Sequence, residues 1–508
     1  MRASIRSRFV GIMASAVIIA SFSAPAEAAS ISAFSGTLSS SDATINPYAK
    51  FLNAIASAAG NDAITGCASA IRSGAACKSA YTLSPTDLKV ATLGLAFLGS
   101  GGGGALKDGM SIANRVTKDV TLLPVEQVDD KKIYVVAGGI GAPSALQSHI
   151  PEMLTAVGKS AQVLAQKAGG RLGGILSVET GAVNSVIAAA TSSQFGIPLV
   201  DADGAGRSVP KLVNLTYAHD PAVSLDLIVL TSMTGTQVVI RASSLADAER
   251  QIRDTIAQPS WGNLAGLALW AQTGATLKQS TVIRSTYSKG YLLGAAILRG
   301  LTDPASAALA AELKNQGRLI DGSQVSGTLT RFAIVPATGF DKIFLTMTAK
   351  NPDCPAVGHT PLRSSPACSP KDGSCGGSRS CNPVLTYTLS ALNETLLMQD
   401  DSATPAKIDA TAPHGINSMV SVPVSLTPTS GGAALAAQIM LPLTNGDEDL
   451  MKRLAQDQTP IGLFTTYSPR RLYDFSDTFF SILKSVFEYG GGVVPPAPTQ
   501  ASSSNSKM

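Results

Sequence analysis

The stretch from Ile133 to Pro210 limits the fold more than any other part of the chain, because runs of strand length alternate there with segments of helical period. Ile133–Ala137 is a compact β-branched run ending in Gly138-Gly139-Ile140-Gly141-Ala142-Pro143. A helix is expected over Pro151–Lys167, a buried strand over Gly174–Val178, a short helix over Val183–Ser193 and a strand over Ile197–Val200. Strand–helix–strand order joins parallel neighbours, since a chain can return in the same direction only through a long crossover. A sheet that is at least partly parallel, with helices on its faces, follows from that order.

The flanking sequence fits around this unit. A helix should run from Pro47 toward Ala58, with Asn46 as its cap. Ser84-Pro85-Thr86-Asp87 places a cap serine, a first-turn proline and a carboxylate ahead of Leu88, Ala91, Leu95 and Leu98 at helical spacing. That helix should stop at Gly99, and a second short one should span Leu106–Val116. Strands are expected at Leu225–Leu230 and Gln237–Arg241, then a helix at Leu245–Ile256 with Glu249, Arg250 and Arg253 toward solvent. Beyond Gly317 alternation dominates, with strands at Gly327–Ile334, Ile343–Thr348, Val384–Leu392 and Ser418–Ser425. The reading is an α/β N-terminal domain with a partly parallel sheet (81–316) plus a β-rich C-terminal domain (317–473) carrying a cysteine-bearing insert at 352–382. An aromatic helix at 474–489 presents Phe475, Phe479, Phe480 and Phe487, which should pack on the body of the protein, and residues 490–508 form a polar tail.

Residues 1–28 read as a signal peptide. Arg2, Arg6 and Arg8 precede an apolar run from Phe9 to Phe22, and Ala26-Glu27-Ala28 supplies the small-x-small cleavage pattern. The run is short for a bilayer-spanning helix, and no later stretch reaches that length. The expected address is periplasmic or secreted, with no transmembrane span in the mature form and residues 29–80 as an N-terminal extension. Cleavage removes three arginines and one glutamate, taking the formal net charge from +4 to +2. A balance so close to neutral disfavours a nucleic-acid partner, which needs clustered cations. The six cysteines suit an oxidising compartment. Cys67 and Cys77 are expected to pair, with two further bridges among Cys354, Cys368, Cys375 and Cys381. The last four lack the paired C-x2-C knuckles usual in zinc sites.

Three clusters join glycine to polar groups. In Leu98-Gly99-Ser100-Gly101-Gly102-Gly103-Gly104, glycines Gly101, Gly102, Gly103 and Gly104 can bring backbone N–H groups close to a ligand, and the helix that follows favours negative charge. A flexible joint is the competing reading. The pattern is neither a P-loop nor a strand-linked G-x-G-x-x-G, so no nucleotide is expected. Glu179-Thr180-Gly181-Ala182-Val183-Asn184-Ser185 lies where a strand gives way to a helix, the place where ligands bind in parallel sheets. Thr180 as a helix cap is the alternative there. Asp201-Ala202-Asp203-Gly204-Ala205-Gly206-Arg207 then puts two carboxylates and a guanidinium after a strand end. Asp201 and Asp203 could ligate a divalent metal ion, or one could act as a base while the other orients it. Leu212 stands where a calcium loop needs its glutamate, which excludes an EF-hand, and an Asp-Gly turn tied to Arg207 is the plain alternative. His149, His219, His359 and His414 form no zinc pattern, and no G-x-S-x-G elbow occurs.

In this order the clusters resemble the S-methyl-thiohydantoin desulfurase family. The matching stretches are LGSGGGG at 98–104, GGIGAP at 138–143, ETGAVNS at 179–185 and GIPLVDADGAGRSVP at 196–210. Weaker matches are KQSTVIRSTYSKG at 278–290 and HGINSMVSVPV at 414–424. The resemblance implies an α/β domain followed by a β-rich one, and hydrolysis at a carbon flanked by ring nitrogens. The family's acidic residue after its G-A-P motif has no clear counterpart, since His149 and Glu152 both lie nearby, and the cysteine insert and export signal also depart from the pattern.

Two functions follow. In the first, an exported hydrolase acts on a small cyclic amide or thioamide. Asp201 and Asp203 bind a metal or activate water, and Glu179 and Asn184 hold ring groups. Arg207 orients a substrate carboxylate, and Gly101–Gly104 donate N–H groups to developing charge. In the second, the same scaffold is a non-catalytic exported binding protein that meets a protein or surface partner through the insert or the aromatic helix.

Overall fold

A computed structural model describes residues 38–39, 41–55, 61–73, 80–141, 143–299, 307–316, 318–337, 340–350, 383–401, 410–411, 416–425, 438–467 and 476–487. The signal segment, Cys77, the cysteine insert with Cys354, Cys368, Cys375 and Cys381, Phe475, His359, His414 and the tail fall outside these residues. Cys67 lies within them, closing one short helix and opening the next.

The chain does form a partly parallel sheet. Its eight strands are β1 (Tyr81–Leu83), β2 (Val120–Leu123), β3 (Ile133–Gly141), β4 (Leu172–Leu176), β5 (Leu199–Val200), β6 (Ile228–Ser232), β7 (Gln237–Ile240) and β8 (Leu264–Thr273). They lie in the order β1-β2-β5-β4-β3-β8-β6-β7. β2, β5, β4 and β3 run parallel, and the pairs on either side of this block are antiparallel. The crossovers are α3 (Ile150–Lys167), between β3 and β4, and α4 (Asn184–Phe195), between β4 and β5. Sequence placed the strand now called β4 two residues late and did not foresee β8, an almost wholly apolar run that is central in the sheet. Periodicity does not separate such a run from a buried helix.

The N-terminal helix of this region, α1 (Pro85–Leu98), begins with the expected capping box. The Ser84 hydroxyl accepts from Asp87 N, and the Asp87 carboxylate accepts from Ser84 N. The next helix is α2 (Leu106–Arg115). Helix α1 packs against α5 (Thr286–Arg299) so closely that a Cβ built on Gly94 would lie 1.9 Å from Gly290 O. Glycine is therefore demanded there by the approach of two backbones. The helix at Leu245–Ile256 stands as expected, but of Glu249, Arg250 and Arg253 only Arg250 is exposed; the other two are partly exposed, and Glu249 accepts from Leu212 N at 2.5 Å.

The second sheet has nine strands, antiparallel apart from its first pair. Among them are β9 (Leu319–Ala337), β10 (Phe340–Lys350), β11 (Val384–Leu392), β12 (Glu394–Asp400), β13 (Ile416–Ser425), β14 (Gln438–Leu443) and β15 (Pro460–Tyr467). The N-terminal extension contributes Leu38–Ser39, which pairs parallel with β13. One apolar core runs from the helices of the first sheet into this second sheet. Phe97 of α1 meets Phe464 of β15 edge-on at 5.7 Å. The aromatic helix spans Ser476–Phe487, where Phe479 is fully buried and Phe487 packs edge-on against Phe344. Those two rings face the protein, as expected from their spacing.

Gly94→Ala should destabilise the protein by about 1–3 kcal/mol in urea unfolding, the usual effect of forcing atoms into a closed contact. Gly66→Ala, at a helical position with nothing within 4 Å, is the control and should be neutral or slightly stabilising. Equal effects of the two would contradict the packing.

Candidate functional site

The glycine run becomes a hub on which four segments converge. Helix α1 ends at Gly99, after which Ser100 (φ 54°), Gly101 (82°), Gly103 (72°) and Gly104 (94°) take left-handed conformations. Gly101 O accepts from Asn445 N at 2.7 Å, and Ser100 O accepts from Thr395 N at 2.8 Å, so the loop is tied to the second sheet. A Cβ on Gly102 would lie 2.5 Å from Glu394 Cβ, and one on Gly103 would lie 2.5 Å from Gly181 Cα. Gly103 O accepts from Val183 N and Asn184 N. These glycines thus serve close packing. The start of α2, offered above to an anionic ligand, is already occupied: Asp447 accepts from Leu106 N and Lys107 N.

Glu179 leaves the end of β4 and is 7% exposed. Its Oε1 accepts from Asn184 Nδ2 and its Oε2 from Val209 N, both at 2.6 Å. Asn184 is the first residue of α4 and remains partly exposed. Thr180 does not cap that helix; its hydroxyl donates to Asp203 Oδ2 at 2.7 Å.

Asp201 and Asp203 are buried and saturated with protein donors. Asp201 Oδ1 accepts from Tyr287 N at 2.7 Å, and its Oδ2 accepts from the hydroxyls of Tyr81 and Ser288. It therefore caps the N-terminus of α5. Asp203 Oδ1 accepts from Thr286 Oγ1 at 2.8 Å, and both its oxygens accept from Gly206 N. All four of their carboxylate oxygens accept from protein donors. Among the described residues no group of three or more His, Cys, Asp or Glu side chains is placed to hold a metal.

Arg207 is fully buried. Its Nη2 donates to Thr395 O at 2.7 Å and its Nε to Ser208 O at 2.9 Å. This guanidinium clamps the β12 strand rather than reaching out to a substrate carboxylate, and its charge is answered by Glu394 and Glu179. Arg318 adds a donor to Gly206 O nearby.

Burial dominates the acid–base behaviour of the group. It pushes Glu179 up from the usual carboxylate range, against the two hydrogen bonds that favour its ionised form. It also pushes Glu394 up from that range, with Glu179 adding repulsion. It holds Arg207 below its usual value and brings Lys289 down to about 8. Asp203 is pushed up to about 6.

Gly101–Gly104, Glu179, Asn184, Asp201, Asp203 and Arg207 were expected in one region; Gly103 bonds Asn184, Asn184 bonds Glu179, and Thr180 links Asp203 to Arg207. The two aspartates bond α5 and the turn at Gly206. Glu394, Thr286 and Ser288 were missed. Thr286 and Ser288 belong to the weaker 278–290 match, which held the signal. Glu394 lies between Asn393 (φ 67°) and a leucine-rich strand, and only its charge inside an apolar run marks it. His149 and Glu152 are both exposed near the start of α3.

Residues 86–242, which include the glycine run, Glu179, Asn184, Asp201, Asp203 and Arg207, match the family model described as S-Me-THD-like, N-terminal domain. In this stretch the chain is similar to that domain. An X-ray structure of a protein from Chromobacterium violaceum shares the fold with a TM-score of 0.58. The two are 21% identical, over 82% of this chain and 99% of that chain. Among curated proteins none matches.

Folding raises Asp203 from an ordinary 3.8 to about 6, so its stabilising contribution is complete below about pH 4 and is lost as pH rises through about 6. The difference in unfolding free energy between the wild type and Asp203→Asn should therefore shrink by about 2 kcal/mol from pH 4 to pH 7. A difference that is flat, or that widens with pH, would contradict the assignment.

Proposed function

We propose that this S-Me-THD-like protein is exported and hydrolyses a small cyclic amide or thioamide of the hydantoin or thiohydantoin type. Glu179 carries the reading. It is a carboxylate at the carboxyl end of a parallel strand, the position where α/β sheets bind ligands, and Asn184 beside it keeps part of its surface open. Burial raises the affinity of Glu179 for a proton while the N–H groups of Asn184 and Val209 support its anion, a setting suited to taking a proton from water. In this scheme Glu179 activates water and Asn184 holds a ring N–H or carbonyl. Asp201 and Asp203 position α5, and Arg207 fixes the strand behind the site. Four oxygens occupied by protein donors argue against Asp201 and Asp203 as a metal pair, so turnover is expected without added metal.

The assay uses the purified mature protein with hydantoin and 2-thiohydantoin substrates, with and without added Zn²⁺ or Mn²⁺. Glu179→Gln should lower kcat by about 100-fold or more while the ring still binds. No turnover by the wild type under any condition, or full turnover by Glu179→Gln, would refute the reading and favour a non-catalytic binding protein.

Export is tested separately. No helix among the described residues is long and apolar enough to cross a membrane. Mass spectrometry of the protein from the exported fraction should find Ala29 at its N-terminus, whereas an intact Met1 form retained in the cell would contradict the proposal. The Cys67–Cys77 bridge should appear in the same digest under non-reducing conditions.

A further inference from the structure

One buried group in the region is left with an oxygen that nothing in its surroundings explains. Glu394, at the start of β12, is 2% exposed, and its Oε1 meets no hydrogen-bond partner among the described residues. Buried polar atoms are almost always paired, so an orphan of this kind calls for a ligand or a water. The surroundings fix where it stands. Gly102 has no side chain because Glu394 fills that space, with Oε2 2.8 Å from the point a Gly102 Cβ would occupy. The adjacent Thr395 bonds Ser100 through its N–H and Arg207 through its carbonyl, which locks the strand to the loop and to the guanidinium.

Two carboxyls, Glu179 and Glu394, lie close enough to Arg207 to favour its charged form. Their donor sets decide which one keeps a proton. Glu179 receives N–H groups from Asn184 and Val209, a setting that favours its anion. Glu394 Oε1 receives none, and an unpaired anionic oxygen in a dry interior is the more expensive of the two states.

We propose that Glu394 is a neutral acid whose free hydroxyl is reserved for an acceptor atom of the bound ligand, so that the site spans both sheets. This rests on the reading of Glu179 above and deepens it by naming the ligand's chemistry: an uncharged ring carbonyl or thiocarbonyl rather than a free carboxylate. A carboxylate has no place beside Glu179, and Arg207 spends Nη2 and Nε on Thr395 O and Ser208 O.

The test is carboxyl NMR of the full mature protein carrying ¹³C-labelled glutamate, which needs no substitution to read the wild type. One glutamate should keep the shift of a protonated acid from about pH 5 to about pH 8, against an ordinary value near 4.3. Its signal should vanish in Glu394→Gln and persist in Glu179→Gln. Adding hydantoin or 2-thiohydantoin should move it, and Glu394→Ala should weaken binding of either ring by about tenfold or more. Titration of every glutamate below about pH 6, or a protonated signal that follows Glu179, overturns the proposal. So does ring binding that leaves the Glu394 signal unmoved, which would mean a water fills the place. If neither ring binds the wild type, the cyclic-amide reading falls and the ligand assignment with it, while the carboxyl signal still decides the state of Glu394.

Discussion

A guanidinium without water has to be surrounded by acceptors and countercharge, and Arg207 imposes that demand on everything near it. It stands fully buried between the two sheets. Its hydrogen bonds go to backbone carbonyls on either side, Ser208 O in its own loop and Thr395 O on the second sheet. Its charge is answered by Glu179 and Glu394. Breaking such a group by removing one member leaves a buried charge alone, which costs far more than the group contributes when complete. The loop at Ser100–Gly104, the turn at Asp203–Arg207 and the start of β12 are therefore fixed relative to one another by one residue's need for partners.

Asp201 and Asp203 extend this arrangement toward α5. Each carboxylate accepts from several protein donors, and together they seat the N-terminus of that helix and the hydroxyls of Thr286 and Ser288 against the sheet. Helix α5 is in turn pressed against α1 through glycines, and α1 delivers the Ser100–Gly104 loop. A continuous path of close contacts thus leads from the aspartates back to the glycine hub. This is why residues a hundred positions apart hold one geometry.

Much of this was legible in the sequence. The strand–helix alternation fixed the parallel block, and Ser84-Pro85-Thr86-Asp87 announced α1 because capping is local chemistry. The three polar clusters lay at element ends, so their convergence followed from the topology of a parallel sheet. Function was harder to read than position. An aspartate that anchors a helix and one that activates water look alike in sequence, and only the partners of Asp201 and Asp203 tell them apart. Arg207 looked like a substrate contact because its burial depends on β12, some 190 residues later. Glu394 carried only one weak local signal, a charge inside an apolar run, because its neighbours read as an ordinary strand. The strand β8 was missed for a related reason: an all-apolar run has no period to show which element it forms.

The central claim is that Glu179 and Arg207 share one dry environment in which each answers the other's charge. A double-mutant cycle in unfolding free energy, with Glu179→Gln, Arg207→Met and the pair, measures that directly. The expected coupling is about 1 kcal/mol or more, the double variant being less damaged than the sum of the singles. Additivity within about 0.3–0.5 kcal/mol would mean that the two groups do not sense each other, and the account built around them would be wrong.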